Sequence, residues 1–187
     1  MLVAITDRRR MIAFDAATIA KAGAEIVQVR EKDLDGGPLL ALVQAAMAHH
    51  ARVMVNDRVD VALAAGAYGV HLPERGMSIA DARALGVTFV GVSRHTLDGV
   101  REAATAGADL IQLGPIWRTP GKGEPLGPLA LEGARAIIDA AGGRAKLVAV
   151  GGVETVERVK SAQRAGAHGV AAIRAAWSGA LSESRDR

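Results

Sequence analysis

Cysteine is absent from the 187-residue chain, and aromatic residues are scarce, with two tryptophans, two phenylalanines and one tyrosine. Without cysteine the protein forms no disulfide and no thiolate metal site, which is typical of a cytoplasmic protein. Half of the residues are nevertheless apolar, so the core has to be built from alanine, valine, leucine and isoleucine. This composition suits helices packed closely on a sheet.

Long apolar runs and blocks of like charge are also missing. No stretch approaches the ~20 apolar residues of a membrane span, and the first basic residues follow an apolar run, the reverse of a secretory signal. The net charge is only +3 and the basic residues are scattered, which argues against a nucleic-acid partner. We therefore expect one soluble, cytoplasmic domain with a substantial core.

An internal repeat predicts the architecture. The tripeptide Ala-Gly-Ala occurs four times, with its glycines at positions 23, 66, 107 and 166. Each copy follows an alanine-rich helical stretch and precedes a strand-like apolar run, so the glycine suits the left-handed residue that ends a helix. The copies lie about 40 to 60 residues apart, a gap that fits two helix–strand units and predicts eight strands.

Short valine-rich runs supply the strands between the repeats. Continuous apolar runs of this length are typical of parallel strands covered on both faces. The predicted strands are Leu2–Ile5, Arg52–Val55, Phe89–Val92 and Leu147–Val150. The amphipathic helices predicted between the strands are Leu39–Ala48, Val59–Ala65, Ile79–Leu85, Leu97–Ala106, Leu129–Ala141 and Val156–Ala165.

This alternation predicts an α/β fold, a compact (β/α)8 TIM barrel formed by residues 1–181 as a single domain. The last helix, Ala175–Leu181, is short enough to be truncated, and residues 182–187 are predicted to be a disordered tail. An open doubly wound sheet is the alternative. The chain lacks the glycine fingerprint that such a sheet carries after its first strand.

Polar residues follow the second predicted strand, where a barrel places its chemistry. Gln28, Arg30 and Lys32 alternate along the chain, so their side chains share one face. Charged groups at a barrel mouth are costly unless an anionic ligand or a partner receives them. We favour ligand contact; the alternative is a structural network of Arg30 with Glu31 or Asp57.

The third predicted strand ends with Asn56 and Asp57. An amide can bind a polar ring and a carboxylate can bind Mg²⁺, although Asp57 or Asp60 could instead cap the helix that follows. His71, at the end of the fourth strand, is interpreted as a packed and hydrogen-bonded residue rather than a catalyst. The fifth strand delivers Ser93.

The stretch from Gln112 to Gly127 runs from a predicted strand into a loop with four glycines and three prolines. Thr119 and Lys122 supply this loop with a hydroxyl and an ammonium group, both of which donate to anions. The loops after the seventh and eighth strands, which in barrels often bind phosphate, contain the glycine pair 151–152 and Arg174. These positive groups predict a site for phosphorylated small molecules.

Five motifs in the correct order resemble the thiamine-phosphate synthase and thiazole tautomerase superfamily along nearly the whole chain. They are QVREKD (28–33), NDRVDVALAAGAYGVHL (56–72), GVSRHT (91–96), GPIWRTPGK (114–122) and AVGGV (149–153). The resemblance implies a thiamine-biosynthesis enzyme that joins hydroxymethylpyrimidine diphosphate to thiazole phosphate, releases diphosphate and uses Mg²⁺. Whether it forms a homodimer is left open.

The resemblance also implies roles for individual residues. Arg30, Lys32, Asp57, Ser93 and Lys122 would be catalytic, with Asp57 binding Mg²⁺. The residues implied to bind the two substrates are Gln28, Arg30, Lys32, Asn56, Ser93, Thr119, Gly121, Lys122, Gly151, Gly152, Ile173 and Arg174. Thr119 and Gly152 would contact the thiazole phosphate. The pyrimidine diphosphate would be held by Gln28, Arg30, Lys32, Asn56, Ser93 and Lys122.

Three positions depart from the synthase pattern. The second Mg²⁺ carboxylate of the family falls on Gly76, for which Glu74 is a candidate substitute. The hydroxyl expected just before Lys122 is replaced by Gly121, and the serine expected after the eighth strand is replaced by Arg174.

These departures keep two alternatives open. The tautomerase branch isomerises a thiazole carboxylate phosphate with a loop histidine, which is replaced here by Pro115, so His95 would have to act as the acid–base group. The other alternative is a barrel that binds a phosphorylated ligand without turnover.

Overall fold

The computed structural model describes residues 1–9 and 15–181, so the predicted tail at 182–187 lies outside the described residues. Strands and helices alternate along this part of the chain. The strands are β1 (Leu2–Ile5), β2 (Ile26–Val29), β3 (Val53–Asn56), β4 (Gly69–Leu72), β5 (Val90–Arg94), β6 (Leu110–Leu113), β7 (Lys146–Val150) and β8 (Gly169–Ala172). The helices are α1 (Ala16–Ala22), α2 (Gly36–Met47), α3 (Val59–Ala65), α4 (Ile79–Ala84), α5 (Leu97–Thr105), α6 (Leu129–Ala140), α7 (Val156–Arg164) and α8 (Arg174–Trp177).

The eight strands form one closed parallel barrel in sequence order. Its closure is the pairing of β1 with β8, in which Ala4 is in register with Ala172. The short helix α8 supports this seam, because the indole Nε1 of Trp177 donates a 2.7 Å hydrogen bond to the carbonyl of Ile5. The predicted (β/α)8 barrel with a truncated last helix is therefore confirmed, and the open-sheet alternative is wrong.

Two apolar layers hold the barrel together. The larger one lies between the strands and the surrounding helices and is built almost entirely from aliphatic side chains, as the shortage of aromatic residues requires. The smaller one fills the barrel and consists of Val3, Ile5, Ile26, Met54, Leu110, Val148 and Ala171. The alternation of side chains along each strand separates these layers, since successive residues point inward and outward.

The repeated glycines end helices as predicted. Gly23, Gly66, Gly107 and Gly166 have φ values of 56°, 64°, 81° and 90°, in the left-handed region that residues with a Cβ atom avoid. This conformation stops each helix and returns the chain towards the next strand.

Several element boundaries differ from the predicted ones by one to four residues, and the largest difference is the end of α8, which is Trp177 rather than Leu181. Helix α2 begins at Gly36 rather than Leu39, and β5 extends to Arg94 instead of ending at Val92. The extension of β5 follows from pairing, because Arg94 is in register with Leu113 of β6. A prediction that ends a strand at its first polar residue therefore places the end too early when the neighbouring strand continues to pair with it.

Candidate active site

The carboxyl ends of the eight parallel strands meet at one edge of the barrel, so the predicted site residues surround a common mouth. They lie at the ends of six different strands or just after them, so residues that are distant in the sequence come to the same end of the barrel. Buried polar groups from β2, β4 and β6 lie beneath this mouth, where most other positions of the strands are apolar.

A relay of side-chain amides crosses the barrel below the mouth. Gln112 Nε2 donates to Gln28 Oε1 at 2.7 Å, and Gln28 Nε2 donates to Asn56 Oδ1 at 3.2 Å. Both glutamines are at most 2% exposed. Because Gln28 is bonded at both ends, it orients Asn56 and leaves the Asn56 amide nitrogen free to donate towards the mouth. Sequence reasoning gave Gln112 no role, although a glutamine inside an apolar strand is a recognisable signal.

His71 is buried beside this relay, with 1% of its surface exposed. Its Nε2 lies 2.8 Å from the hydroxyl of Ser93 on the neighbouring strand, while its Nδ1 has no hydrogen-bond partner. Gly91 leaves room for the ring, since a Cβ atom there would lie 2.9 Å from Nδ1. Burial lowers the pKa of His71 to about 3, with smaller contributions from Arg30 and Arg94. The imidazole is therefore neutral and structurally packed.

Arg30 is not tied up in the ion-pair network that the sequence left open. The buried carboxylate of Glu31 pairs instead with Arg8, at 3.2 Å. Within residues 1–9 and 15–181, the Arg30 guanidinium has no ion-pair or hydrogen-bond partner, while its backbone amide donates to Thr6 Oγ1 at 2.9 Å. The anchored backbone and unpaired guanidinium leave Arg30 available to an anion.

Asp57 has a left-handed backbone conformation, with φ of 66°, which is uncommon for a residue with a side chain and often marks a functional position. It lines a cleft of about 230 Å³ between the β2 and β3 loops, together with Glu31, Lys32, Leu34, Leu39, Asn56 and Arg58. This cleft brings together three residues that the resemblance assigned to the diphosphate and metal.

Neither Asp57 nor Asp60 occupies the N-cap position of α3. The N-cap of α3 is Arg58, and it makes no side-chain capping bond. The Asp60 carboxylate, in the first turn of α3, binds the Arg58 guanidinium at 2.8 and 2.6 Å. This hydrogen bond lowers the pKa of Asp60, and the backbone amide of Val61 contributes in the same direction. The Asp57 carboxylate forms no hydrogen bond or ion pair with the other described residues and lies on the cleft.

The second metal carboxylate has no counterpart beside Asp57. A Cβ atom placed on Gly76 would lie 3.2 Å from Asp57 Oδ1, so position 76 does face the expected metal site, but glycine supplies no ligand. Glu74 is directed towards the β5 loop, where its carboxylate accepts from the His95 amide at 3.2 Å. Among the described residues, no three His, Asp or Glu side chains form a metal-binding group.

A second cluster of donors lies at the β6 and β7 loops. The β6 loop packs closely on the glycine pair, because a Cβ atom on Gly151 would lie 3.2 Å from Thr119 Oγ1 and one on Gly152 would lie 2.7 Å from Trp117 Cβ. The backbone amides of Gly151, Gly152 and Val153 donate to no acceptor in the described chain. Successive free amides at left-handed glycines form an anion-binding concavity.

Four other predicted residues are less closely engaged. Gly121 (φ 74°) and Lys122 lie on the exposed part of the β6 loop, with the ammonium of Lys122 facing solvent. Arg174 pairs with Glu154 at 3.4 Å, so an arriving phosphate would have to compete with that carboxylate. Ile173 is the N-cap residue of α8 and packs against the apolar residues that fill the barrel.

His95 follows β5 directly, and its side chain reaches the start of the β6 loop. Its Nδ1 is in hydrogen-bond contact with the carbonyl of Gly114, next to Pro115. Since a carbonyl only accepts, Nδ1 carries the proton, which leaves Nε2 as a basic nitrogen. The side chain therefore reaches the region that holds the tautomerase histidine in the resembling superfamily.

Known proteins are similar to this chain over most of its length. The family described as "Thiamine monophosphate synthase" matches residues 2–176. The thiamine-phosphate synthase of Albidiferax ferrireducens is 37% identical, with 89% of this chain and 77% of that protein covered. The thiamine-phosphate synthase of Chlorobium phaeobacteroides is 36% identical, with 93% and 86% covered.

A solved structure shows the same fold. The thiamine phosphate pyrophosphorylase of Pyrococcus furiosus superposes with a TM-score of 0.80 at 26% identity, over 98% of this chain and 96% of that one. In residues 1–9 and 15–181, no helix is long and apolar enough to cross a membrane.

Proposed function

The chain belongs to the thiamine monophosphate synthase family, and from that premise we propose which of its residues perform the synthase reaction. It is an enzyme of thiamine biosynthesis with thiamine-phosphate synthase-like activity. The substrates are hydroxymethylpyrimidine diphosphate and thiazole phosphate, and the second product is diphosphate. The observation that carries the assignment is the cleft in which Lys32, Asn56 and Asp57 line one space.

The pyrimidine diphosphate occupies the β2–β3–β5 side of the mouth. Arg30 and Lys32 bind its phosphates, since both are cationic and neither forms an ion pair within the described chain. Asn56, oriented by Gln28, donates to the ring. Ser93, which is held by His71, contacts the same ring from β5.

A single protein carboxylate is enough for the metal in this reaction. Mg²⁺ is commonly bound by one or two carboxylates together with substrate phosphates, so Asp57 and the diphosphate oxygens fit it without a second acidic residue. When bound, Mg²⁺ neutralises charge that develops on the departing diphosphate. Glu74 is left out of this assignment because its carboxylate binds the His95 amide.

The thiazole phosphate occupies the β6–β7 side. The free amides of Gly151, Gly152 and Val153 receive its phosphate. The Thr119 hydroxyl joins them when it turns away from the Trp117 carbonyl to which it donates. Arg174 faces this side from β8 and is released from Glu154 when the phosphate binds. Lys122 lies on the exposed part of the β6 loop and supplies its ammonium group to the diphosphate.

The reaction needs no nucleophile from the protein. The bond between the methylene carbon and the diphosphate oxygen breaks, the electron pair leaves with diphosphate, and the thiazole nitrogen then forms the new carbon–nitrogen bond. Arg30, Lys32 and Lys122 stabilise the leaving group, while the two binding regions hold the reacting atoms in line. This division of labour agrees with a site built from cations, amides and one carboxylate.

The direct test mixes both substrates with Mg²⁺ and follows diphosphate release by the full chain. We expect release that depends on both substrates and on Mg²⁺, and loss of turnover by more than about 100-fold in Asp57→Ala. No release from the wild-type chain under these conditions would overturn the proposed function. Wild-type rates in Asp57→Ala would overturn the role of Asp57 alone.

The contact between His95 and Gly114 favours one alternative activity, the isomerisation of a thiazole carboxylate phosphate. Nε2 of His95 is placed to move a proton at the start of the β6 loop. The isomerase assignment would replace the synthase assignment if the wild-type chain isomerises the thiazole carboxylate phosphate without releasing diphosphate, and if His95→Gln loses that isomerisation. Persistence of diphosphate release in His95→Gln would favour the synthase.

A further inference from the structure

Arg158 on α7 contacts both loops of the thiazole-phosphate side, although it lies outside the barrel mouth. Its Nη1 donates to the carbonyl of Gly152. Its guanidinium lies over the ring of Trp117, with 5.7 Å between the guanidinium carbon and the ring centroid. It also pairs with Glu154 at 3.7 Å. One side chain thus links the β6 loop, the β7 loop and the helix that follows.

We propose that Arg158 is a positioning residue for the thiazole phosphate, which it serves by fixing the β6 loop against the β7 glycine pair. This inference rests on the proposed function, because it assigns the phosphate of that substrate to these loops. Arg158 itself does not touch the phosphate. It acts through Gly152 on one side and through Trp117 on the other.

The action through Gly152 follows from the geometry of the peptide unit. A trans peptide is planar, and its carbonyl and N–H point in opposite directions. Because Arg158 holds the carbonyl of Gly152 on the α7 side, the N–H of Val153 in the same peptide unit points away from α7. That N–H is one of the three amides without an acceptor in the described chain, so Arg158 fixes the direction of a phosphate donor.

The action through Trp117 follows from packing. The Arg158 guanidinium lies over the indole of Trp117, and this cation–π contact stabilises the position of Trp117. Trp117 in turn packs against Gly152 through its Cβ atom. The hydroxyl of Thr119 donates to the Trp117 carbonyl at 3.0 Å. Displacing Trp117 therefore also moves the one hydroxyl that this loop offers to the phosphate.

Calorimetry with the full chain tests the proposal by measuring the Kd of thiazole phosphate and, separately, of pyrimidine diphosphate with Mg²⁺. In Arg158→Ala we expect thiazole phosphate to bind about tenfold more weakly, as for a lost hydrogen bond to a charged group, while the Kd of pyrimidine diphosphate changes by less than about twofold. Arg164→Ala is the matched control, since Arg164 lies on the same helix and, among the described residues, pairs only with exposed Glu157. It should change neither Kd.

A double-mutant cycle separates positioning from direct contact. Trp117→Leu should weaken thiazole phosphate binding by itself, and its effect should not add to that of Arg158→Ala, because both break the same link. Full additivity, or an unchanged Kd in Trp117→Leu, would overturn the positioning role. Equal weakening of both ligands in Arg158→Ala would overturn it as well, because a general loss of structure affects both halves of the site.

Arg158→Lys keeps the proposal testable if the alanine variant fails to fold. Lysine preserves the charge beside Glu154 but has no planar guanidinium to stack on Trp117. The Kd of thiazole phosphate for Arg158→Lys should therefore lie between the values for the wild type and Arg158→Ala. If the alanine variant does not fold, the Kd for Arg158→Lys should still be higher than that of the wild type. An unchanged Kd would overturn the proposal. Diphosphate release by the wild-type chain is scored separately, so failure of the synthase assignment is distinguishable from failure of this one.

Discussion

Nε2 of His71 and the hydroxyl of Ser93 lie 2.8 Å apart on neighbouring strands, and this hydrogen bond is the contact that satisfies the buried imidazole. The other ring nitrogen has no partner. An orphaned N–H costs more than an orphaned acceptor in a protein interior, so we infer that Nε2 carries the proton and donates to Ser93. The Ser93 proton is then free to point towards the mouth and donate to the pyrimidine.

Replacing Ser93 by alanine should therefore affect both stability and activity. The variant leaves both nitrogens of buried His71 without a partner, which we expect to lower the free energy of unfolding by about 1–3 kcal/mol, and it removes a contact to the pyrimidine. Urea denaturation and diphosphate release measure the two effects. Ser161→Ala on α7 is the control, because its half-buried hydroxyl makes no hydrogen bond within the described chain. Equal stability of the two variants would contradict the inferred role of Ser93.

The buried histidine should make stability depend on pH. The pKa of His71 is about 3 in the folded protein and 6.5 as its ordinary value, so the unfolded chain binds a proton that the folded chain excludes. The free energy of unfolding should accordingly fall as the pH drops below about 6.5, by up to ~1.4 kcal/mol per pH unit. Urea denaturation at pH 7 and pH 5 measures this slope.

His71→Gln isolates this contribution, because glutamine does not titrate and His168 remains in both proteins. The variant should be less stable at pH 7 but should lose less stability between pH 7 and pH 5 than the wild type does. Identical losses in the two proteins would show that His71 is protonated in the folded state or that the ring is solvated.

Asp57 should trade stability for function. Its φ of 66° is unfavourable for a residue with a Cβ atom, whereas glycine adopts it freely. We expect Asp57→Gly to raise the free energy of unfolding by roughly 0.5–1 kcal/mol while abolishing Mg²⁺-dependent turnover. Thermal unfolding and diphosphate release measure the two quantities. Asp57→Asn, which retains a side chain of the same size and loses the charge, should abolish turnover without the gain in stability. If Asp57→Gly is less stable than the wild type, the left-handed backbone of Asp57 is not strained.

Two glycines with nearly the same φ separate the cost of crowding from the cost of a left-handed backbone. Gly152 has φ of 66° and Gly66 has φ of 64°, but a Cβ atom on Gly152 would meet Trp117 Cβ at 2.7 Å, whereas one on Gly66 would meet nothing within 4 Å. Gly66→Ala should cost about 1 kcal/mol from strain alone. Gly152→Ala should cost at least 1 kcal/mol more and also weaken thiazole phosphate binding. Similar losses in both variants would mean that the β6 loop moves away without penalty.

Much of the fold could be predicted because its signals are local. The four Ala-Gly-Ala repeats specified helix ends through the left-handed preference of glycine, and every predicted strand was found within two residues of its predicted position. The boundaries that moved, such as the end of β5 at Arg94, depend on pairing with a neighbouring strand. Pairing of this kind has no signature within one segment.

The candidate site was predictable only in part. Asp57, Asn56 and Lys32 could be placed in one cleft from their positions after strands and their resemblance to a family. The pairing of Glu31 with Arg8 rather than Arg30 could not be predicted, and neither could the roles of Gln112 and Arg158. Each depends on which side chains from distant segments come within hydrogen-bond distance. Arg158 in particular carries no signal in an exposed, charged helix.

By itself, the sequence determined the alternation of strands and helices, the aliphatic core and the set of charged residues available for phosphates, since these follow from the preferences and patterns of neighbouring residues. Only the tertiary structure decided that Glu31 pairs with Arg8, so that Arg30 has no ion-pair partner in residues 1–9 and 15–181, and that position 76 faces Asp57 without supplying a ligand. The physical reason is barrel closure: it sets the distances between residues that are far apart in the chain, and electrostatic and hydrogen-bond energies depend on those distances.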